Sequence, residues 1–297
     1  MRVLISGASG LIGSELARQL TADGHTAIRL VRRAPRTAHE VQWNPDNFEI
    51  PADALVGVDA VVNLAGATTG KLPWTKKYKE ELVESRIRST QTLVRAIAAA
   101  DTKPKVLISG SASGFYGDTG GDAKSETDAK GTGFLSDLAS AWEQEALKAS
   151  EDTRVVLVRT TMVLSRKLGA LGRLLPLLKL GVGGPLGPGN QWWAWISLDD
   201  EVRAIRHLIE NKQCSGVYNL TAPEHATCTD MVKALAKGLH RPAILPVPSF
   251  ALRLAFGEGA DELLICNQKM TCDKLVASGF TFNHPTLESA VRYVLTR

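Results

Sequence analysis

The chain has 297 residues, 44% hydrophobic and 22% charged, an ordinary globular balance with enough length to build a core without disulfides. Its net charge of +4 is small and dispersed, and the densest basic cluster, KKYK at 76–79, reads as a solvated helix face rather than a nucleic-acid site. No apolar run reaches the roughly 18 residues of a membrane helix, and the cysteines at 214, 228, 266 and 272 contain no Cys-x-x-Cys pair, so they read as reduced thiols of a cytoplasmic protein with no metal site.

RVLIS (2–6) is a short apolar run entering a glycine turn, and reads as a first strand rather than a signal peptide because the run stops at Gly7. LIGSELARQLTADGH (11–25) carries Leu11, Ile12, Leu16 and Leu20 at helical spacing and stops at Gly24. TAIRLVRR (26–33) and VDAVVNLAG (58–66) return to strands, the second ending in another glycine turn. Their continuous apolar character is that of a parallel sheet covered on both faces. A long helix is predicted over 75–100, with Val83, Ile87, Thr90, Val94 and Ile97 on one stripe. PKVLISG (104–110) and RVVLVRT (154–160) read as strands, with FLSDLASAWEQEALKAS (134–150) as the helix between them. This alternation predicts an α/β fold with a Rossmann-type, doubly wound parallel sheet.

After about residue 165 the pattern changes. GVGGPLGPGNQ (181–191) is a glycine-proline loop, and WWAWISLDDEVRAIRHLI runs from a strand into a helix with Asp199 or Asp200 as its cap. GVYNLTAP (216–223) reads as a strand, and 228–239 and 287–295 as helices. The expected division is a nucleotide-binding domain over 1–165, to which elements from about 190–222 return, and a smaller substrate-side region over 166–297.

GASGLIG places Gly7, Gly10 and Gly13 between the first strand and the first helix. A pyrophosphate must approach the backbone closely there, and the helix N-terminus offers free N–H groups and a positive dipole end. An acid for a ribose 2′-OH would be expected at the end of the second strand, but LVRR offers Arg32 and Arg33 instead. A guanidinium suits a 2′-phosphate by charge and by paired hydrogen bonds, so the expected cofactor is NADP(H).

GASGLIG, NLAG (63–66) and SGSASGFYG (109–117) together resemble the extended short-chain dehydrogenases/reductases, the group containing nucleotide-sugar epimerases and dehydratases. SRIRSTQTL (85–93), WEQEA (142–146), GGPLGPGNQWWAWISLDD (183–200) and GEGADELL (257–264) are similar, more narrowly, to the atypical subfamily labelled epimerase family proteins. The likeness covers nearly the whole chain. It implies an NADP-binding domain with a small C-terminal region and, at family level, a homodimer. Carried over, Gly7, Gly10 and Gly13 meet the pyrophosphate with Leu11 and Ile12 beside them. Val31, Arg32 and Arg33 surround the ribose and its 2′-phosphate. Leu64, Ala65 and Gly66 line the dinucleotide path. Glu81 and Arg86 lie on the long helix, with Arg86 either turned to the cofactor or held in a surface ion pair. Val163 sits near the nicotinamide end.

The resemblance breaks at the catalytic pair. The usual short-chain reductase sets a Ser beside a Tyr whose pKa is lowered by a Lys. Ser111 fits the serine place, with Ser113 competing because the stretch is one residue longer than in common epimerases. From Gly131 to Leu147 there is neither Tyr nor Lys. Aligning Glu143 with the usual helix acid puts Leu135 and Ala139 at the Tyr and Lys places; aligning Glu145 gives Asp137 and Ala141. Tyr116 lies in the site loop, either as a substitute donor or as an aromatic closing the turn before Gly117. On the substrate side, Gln191, Trp193 and Trp195 follow the glycine-rich loop. Indoles stack on sugar or base rings, but they also fill cores, and both readings stand. Two functions are therefore expected. One is an NADP(H)-dependent epimerase-, dehydratase- or reductase-like protein acting on a small hydroxyl- or carbonyl-bearing substrate, nucleotide sugars included. The other is an NADPH-binding regulator without turnover.

Overall fold

The computed structural model describes residues 1–165 and 170–296. The domain boundary expected at 165/166 therefore falls at the edge of the described residues. In chain order the first half contains β1 (Arg2–Ser6), α1 (Leu11–Ala22), β2 (Thr26–Val31), β3 (Glu40–Gln42), β4 (Ala60–Asn63), α2 (Lys76–Ala99), β5 (Val106–Ala112), α3 (Phe134–Leu147), β6 (Arg154–Thr160) and β7 (Met162–Leu164). The second half contains α4 (Ala170–Lys179), β8 (Trp195–Ser197), α5 (Leu198–Glu210), β9 (Gly216–Leu220), α6 (Cys228–Leu239), α7 (Ser249–Phe256), α8 (Glu258–Ala260), α9 (Asp273–Ala277) and α10 (Leu287–Thr296). Among the described residues no helix is long and apolar enough to cross a membrane.

Seven strands pair in the order β3-β2-β1-β4-β5-β6-β9, and every pairing is parallel. The order reverses between β1 and β4, which opens a crevice at the carboxyl ends of the strands. Residues from α1 and α5 cover one face of the sheet, and residues from α2 and α3 cover the other. That double cover explains the continuous apolar strands. The buried side of α2 is Tyr78, Leu82, Ser89, Thr90, Leu93, Val94 and Ile97, so the expected stripe shifts, with Val83 and Ile87 only half-buried. Within the buried side, Thr90 Oγ1 accepts from both Asn63 Nδ2 and the Trp142 indole, each at 2.9 Å.

Two further readings are corrected. Lys76 and Lys77 are exposed, but the remainder of KKYK docks: Tyr78 is 7% exposed and donates to the Thr68 carbonyl, while Lys79 pairs with Glu258. Ser197, not an aspartate, caps α5: its hydroxyl accepts the Asp200 N–H and donates to the Asp200 carboxylate, both at 3.0 Å. β7 and β8 form a separate parallel pair at the edge of a second core, where Trp193 and Trp195 pack with residues of α4, α6 and α10.

Candidate functional site

The β1–α1 turn is built for close backbone approach. Gly7 has φ +68°, and a Cβ there would lie 2.4 Å from the Leu64 carbonyl oxygen. A Cβ on Gly13 would lie 2.4 Å from the Gly7 carbonyl oxygen. Gly10 caps α1 with no side chain over the first amides. The turn therefore presents bare N–H groups beside the β4 exit, where Leu64, Ala65 and exposed Gly66 follow one another. Leu11 and Ile12 are half-buried on the first turn of α1. This cradle fits a dinucleotide pyrophosphate.

At the end of β2 the two arginines differ. Arg33 is clamped on Glu40 through bonds of 2.7 and 2.8 Å, and the Arg36 N–H joins them at 2.7 Å. The Arg33 guanidinium and the Arg36 amide hold the Glu40 carboxyl down at about 2. Arg32 is exposed and has no partner among the described residues, and Val31 beside it is half-buried. One guanidinium at this strand end is thus free, while its neighbour staples the loop.

Arg86 forms no surface ion pair among the described residues. Its Nη1 donates to the Leu82 carbonyl at 3.0 Å, its guanidinium lies 5.2 Å from the Trp142 ring centroid, and a Cβ on Gly66 would come within 3.0 Å of its Cζ. Burial without a carboxylate pulls its pKa down to about 10. An uncompensated cation beside the β4 exit fits an anionic ligand. Glu81 stands exposed on α2, and Val163 is half-buried on β7.

Ser111 and Tyr116 belong to one buried network. Ser111 Oγ donates to Glu143 Oε1 at 2.6 Å, and the Arg159 guanidinium meets both Glu143 oxygens at 2.8 and 2.9 Å. Arg159 Nη1 also donates to the Tyr116 hydroxyl at 2.7 Å and stacks 3.4 Å from the Phe115 ring centroid. The phenol in turn reaches the Ser125 carbonyl at 2.8 Å and Asn219 Oδ1 at 2.9 Å. Tyr116 is 2% exposed, and burial raises its pKa above the ordinary phenol value despite Arg159. Leu135 packs under Gly114 in an apolar cluster with Tyr78, Leu82 and Leu138, and Ala139 is 3% exposed.

Ser113 points elsewhere. Its hydroxyl donates to the Gln268 side-chain oxygen, a partner supplied by the C-terminal segment. Gly114, the residue after Ser113, and Gln268 line a cleft of about 350 Å³, together with Gly117, Thr132, Gly133, Arg253, Glu262 and Cys266. Glu262 reaches across to α3, accepting the Phe134 and Leu135 N–H groups at 2.9 and 3.1 Å. Gln191 donates to the carbonyls of Leu186 and Leu264 at 2.9 and 2.8 Å, and its Oε1 is buried without a partner among the described residues. Trp193 and Trp195 are 8% and 1% exposed, whereas Trp192 keeps partial exposure under Lys269. Asp199, Asp200 and His284 cluster, but the Asp200 carboxylate is satisfied by Ser197, Arg203 and the amides of Asn283 and His284.

Sequence reasoning does not single out the network partners Glu143, Arg159 and Asn219, or the C-terminal residues Glu262 and Gln268, as site residues. Arg159 carries a signal, a charge inside an otherwise apolar strand, and Glu262 lies in the GEGADELL stretch; Gln268 carries none.

Comparison with known proteins bears on the family and the fold. The model of the NAD dependent epimerase/dehydratase family matches residues 3–221, and that of a domain of unknown function, DUF1731, matches 247–294. The epimerase family protein ML0860 of Mycobacterium leprae is 43% identical over 296 residues, covering 99% of this chain and 96% of its own. The crystal structure of human epimerase family protein SDR39U1 with NADPH superposes with a TM-score of 0.93 at 31% identity, covering 100% of this chain and 99% of that one. A nucleoside-diphosphate sugar epimerase from Corynebacterium glutamicum superposes at 0.82 with 31% identity, covering 99% of this chain and 58% of its own. The chain belongs to the NAD dependent epimerase/dehydratase family.

Proposed function

We propose that this protein binds NADP(H) along the β1–α1 turn and the ends of β2 and β4, and acts on a hydroxyl or carbonyl group of a small molecule held in the cleft beside Ser113 and Gln268. The observation that carries the reading is the unpaired guanidinium of Arg32 beside the loop staple of Arg33 and Glu40. The human SDR39U1 crystal structure, which contains NADPH, supports the same cofactor. When bound, the nucleotide supplies hydride exchange. The protein's part is to hold the phosphates on the glycine turn, Arg32 and Arg86, and to orient the substrate oxygen with the Ser113 hydroxyl.

A second reading is NADPH binding without turnover, as a sensor or partner-binding module. It is favoured by the closed network that consumes Ser111 and Tyr116 and by the apolar residues at the Tyr and Lys places.

Nicotinamide fluorescence titration tests the cofactor. Arg32→Ala is expected to weaken NADPH binding roughly tenfold to a hundredfold, the value of a hydrogen bond to a charged group, and to leave NADH unchanged. Equal loss for both nucleotides, or none, overturns the assignment. A panel of carbonyl compounds and nucleotide sugars, followed at the nicotinamide absorbance band, separates the two readings. Turnover lost on Ser113→Ala supports the enzyme, and tight binding with no turnover across the panel supports the sensor.

A further inference from the structure

A carboxyl group is sealed at the carboxyl ends of the central strands. Glu201, early in α5, is 0% exposed. Thr160 Oγ1 donates to its Oε1 at 2.7 Å, and its Oε2 has no partner among the described residues. Thr160 ends β6 and stands in register with Ala112 and Leu220, so the pair lies at the carboxyl ends of the strands. Side chains alternate along β6: Val156 and Val158 face the α1/α5 core, and Thr160 follows on the same side. The half-buried apolar residues at the rim of that core include Ile12, Leu64, Val163 and Leu198. Leu198 and Glu201 are three residues apart and share a face of α5. Ile12 and Leu64 belong to the proposed cofactor site, and Val163 is the residue that the family resemblance sets near the nicotinamide end.

No charged side chain faces this carboxyl among the described residues. β5, β7 and β8 carry none. On β6, Arg159 turns to Glu143 on the opposite face, and Arg154 binds carbonyls at the far end of the strand. On α1, Glu15 and Arg18 pair with each other. On α5 itself, Asp199 meets Gln19 and Asn283, Asp200 meets Arg203, Arg206 meets Asp23 and His207 meets Ser278. Desolvation without a countercharge pushes the Glu201 carboxyl up to about 8.

We propose that Glu201 makes this site distinguish the two oxidation states of the nicotinamide, staying protonated beside the reduced ring and releasing its proton when the oxidised ring binds. The inference rests on the NADP(H) reading above. The two nucleotide forms differ by one positive charge on the ring, and their phosphates are identical. A carboxylate in a low-dielectric floor attracts that charge and has no such interaction with the neutral reduced ring. By linkage, the affinity ratio of the two forms depends on pH through Glu201.

The test measures dissociation constants of NADP⁺ and NADPH on the intact protein between about pH 6 and pH 9. Their ratio cancels the 2′-phosphate and Arg32, which serve both forms. The ratio is expected to shift toward NADP⁺ by roughly tenfold or more across that window. Calorimetry in buffers of different ionisation enthalpy is expected to detect proton release with NADP⁺ and none with NADPH. Glu201→Gln, close to isosteric, is expected to flatten the ratio. Thr160→Val removes the bond that favours the ionised form and is expected to move the inflection to higher pH. A flat ratio in the unaltered protein, or an unchanged slope in Glu201→Gln, overturns the inference and leaves Glu201 a structural acid. If neither nucleotide binds, the cofactor reading falls with it; binding with a flat ratio removes this inference alone.

Discussion

Two hydroxyls that resemble a catalytic site in the sequence, those of Ser111 and Tyr116, are tied into one ion pair. Glu143 and Arg159 are 6% and 3% exposed, and each charge is satisfied mainly by the other. Such a pair contributes little over an apolar replacement, but losing one partner leaves a buried charge uncompensated. Glu143→Ala is therefore expected to destabilise the protein by about 3–5 kcal/mol in denaturant unfolding, with loss of order in the loop carrying Phe115 and Tyr116. A cost below about 1 kcal/mol would show that the network is not holding the loop. The missing Tyr and Lys are visible in the sequence because they depend on residue type alone. What replaces them is not visible, because Glu143 reads as a helix acid and its partner lies on a strand sixteen residues later.

Helix α3 begins at Gly133, which has φ +110° and no side chain to cap the first amides. The acid that accepts them is Glu262, from the C-terminal segment. An acceptor at a helix N-terminus gains from both the free N–H groups and the dipole. Glu262→Ala is expected to cost about 1–2 kcal/mol and to raise amide exchange in the first turn of α3 above that in its last turn. Uniform exchange along the helix would count against the capping role. Elements of this length are legible where burial imposes a period: the central strands and the helices after each fall close to their apolar runs. β3 and β7, at three residues each, are too short to carry a period, and α2 departs from its stripe because buried Ser and Thr side chains do apolar duty through hydrogen bonds.

Over the whole molecule, Glu201 couples stability to pH in the direction opposite to a salt-bridged acid. Burial pushes its carboxyl from the ordinary value of 4.5 up to about 8 in the folded protein. Between those values the native state holds a proton that the unfolded chain has lost, so stability falls as pH rises through this window. Glu201→Gln is expected to melt close to the unaltered protein near pH 4.5 and several degrees above it near pH 8, corresponding to a few kcal/mol. Parallel melting curves at both pH values would contradict the buried neutral state. The cofactor half of the site is readable from sequence because its glycines and arginines sit in consecutive short stretches. The proposed substrate half is not, because Ser113 meets Gln268 across 155 positions. That distance has a consequence for biosynthesis. A chain made from its N-terminus can pair β1 through β6 while the C-terminal segment is still being synthesised. Until residues 262 and 268 emerge, the first amides of α3 face water and Ser113 lacks its partner. A nascent chain can therefore assemble most of its sheet before the cleft beside Gln268 closes, so the glycine turn matures ahead of that cleft.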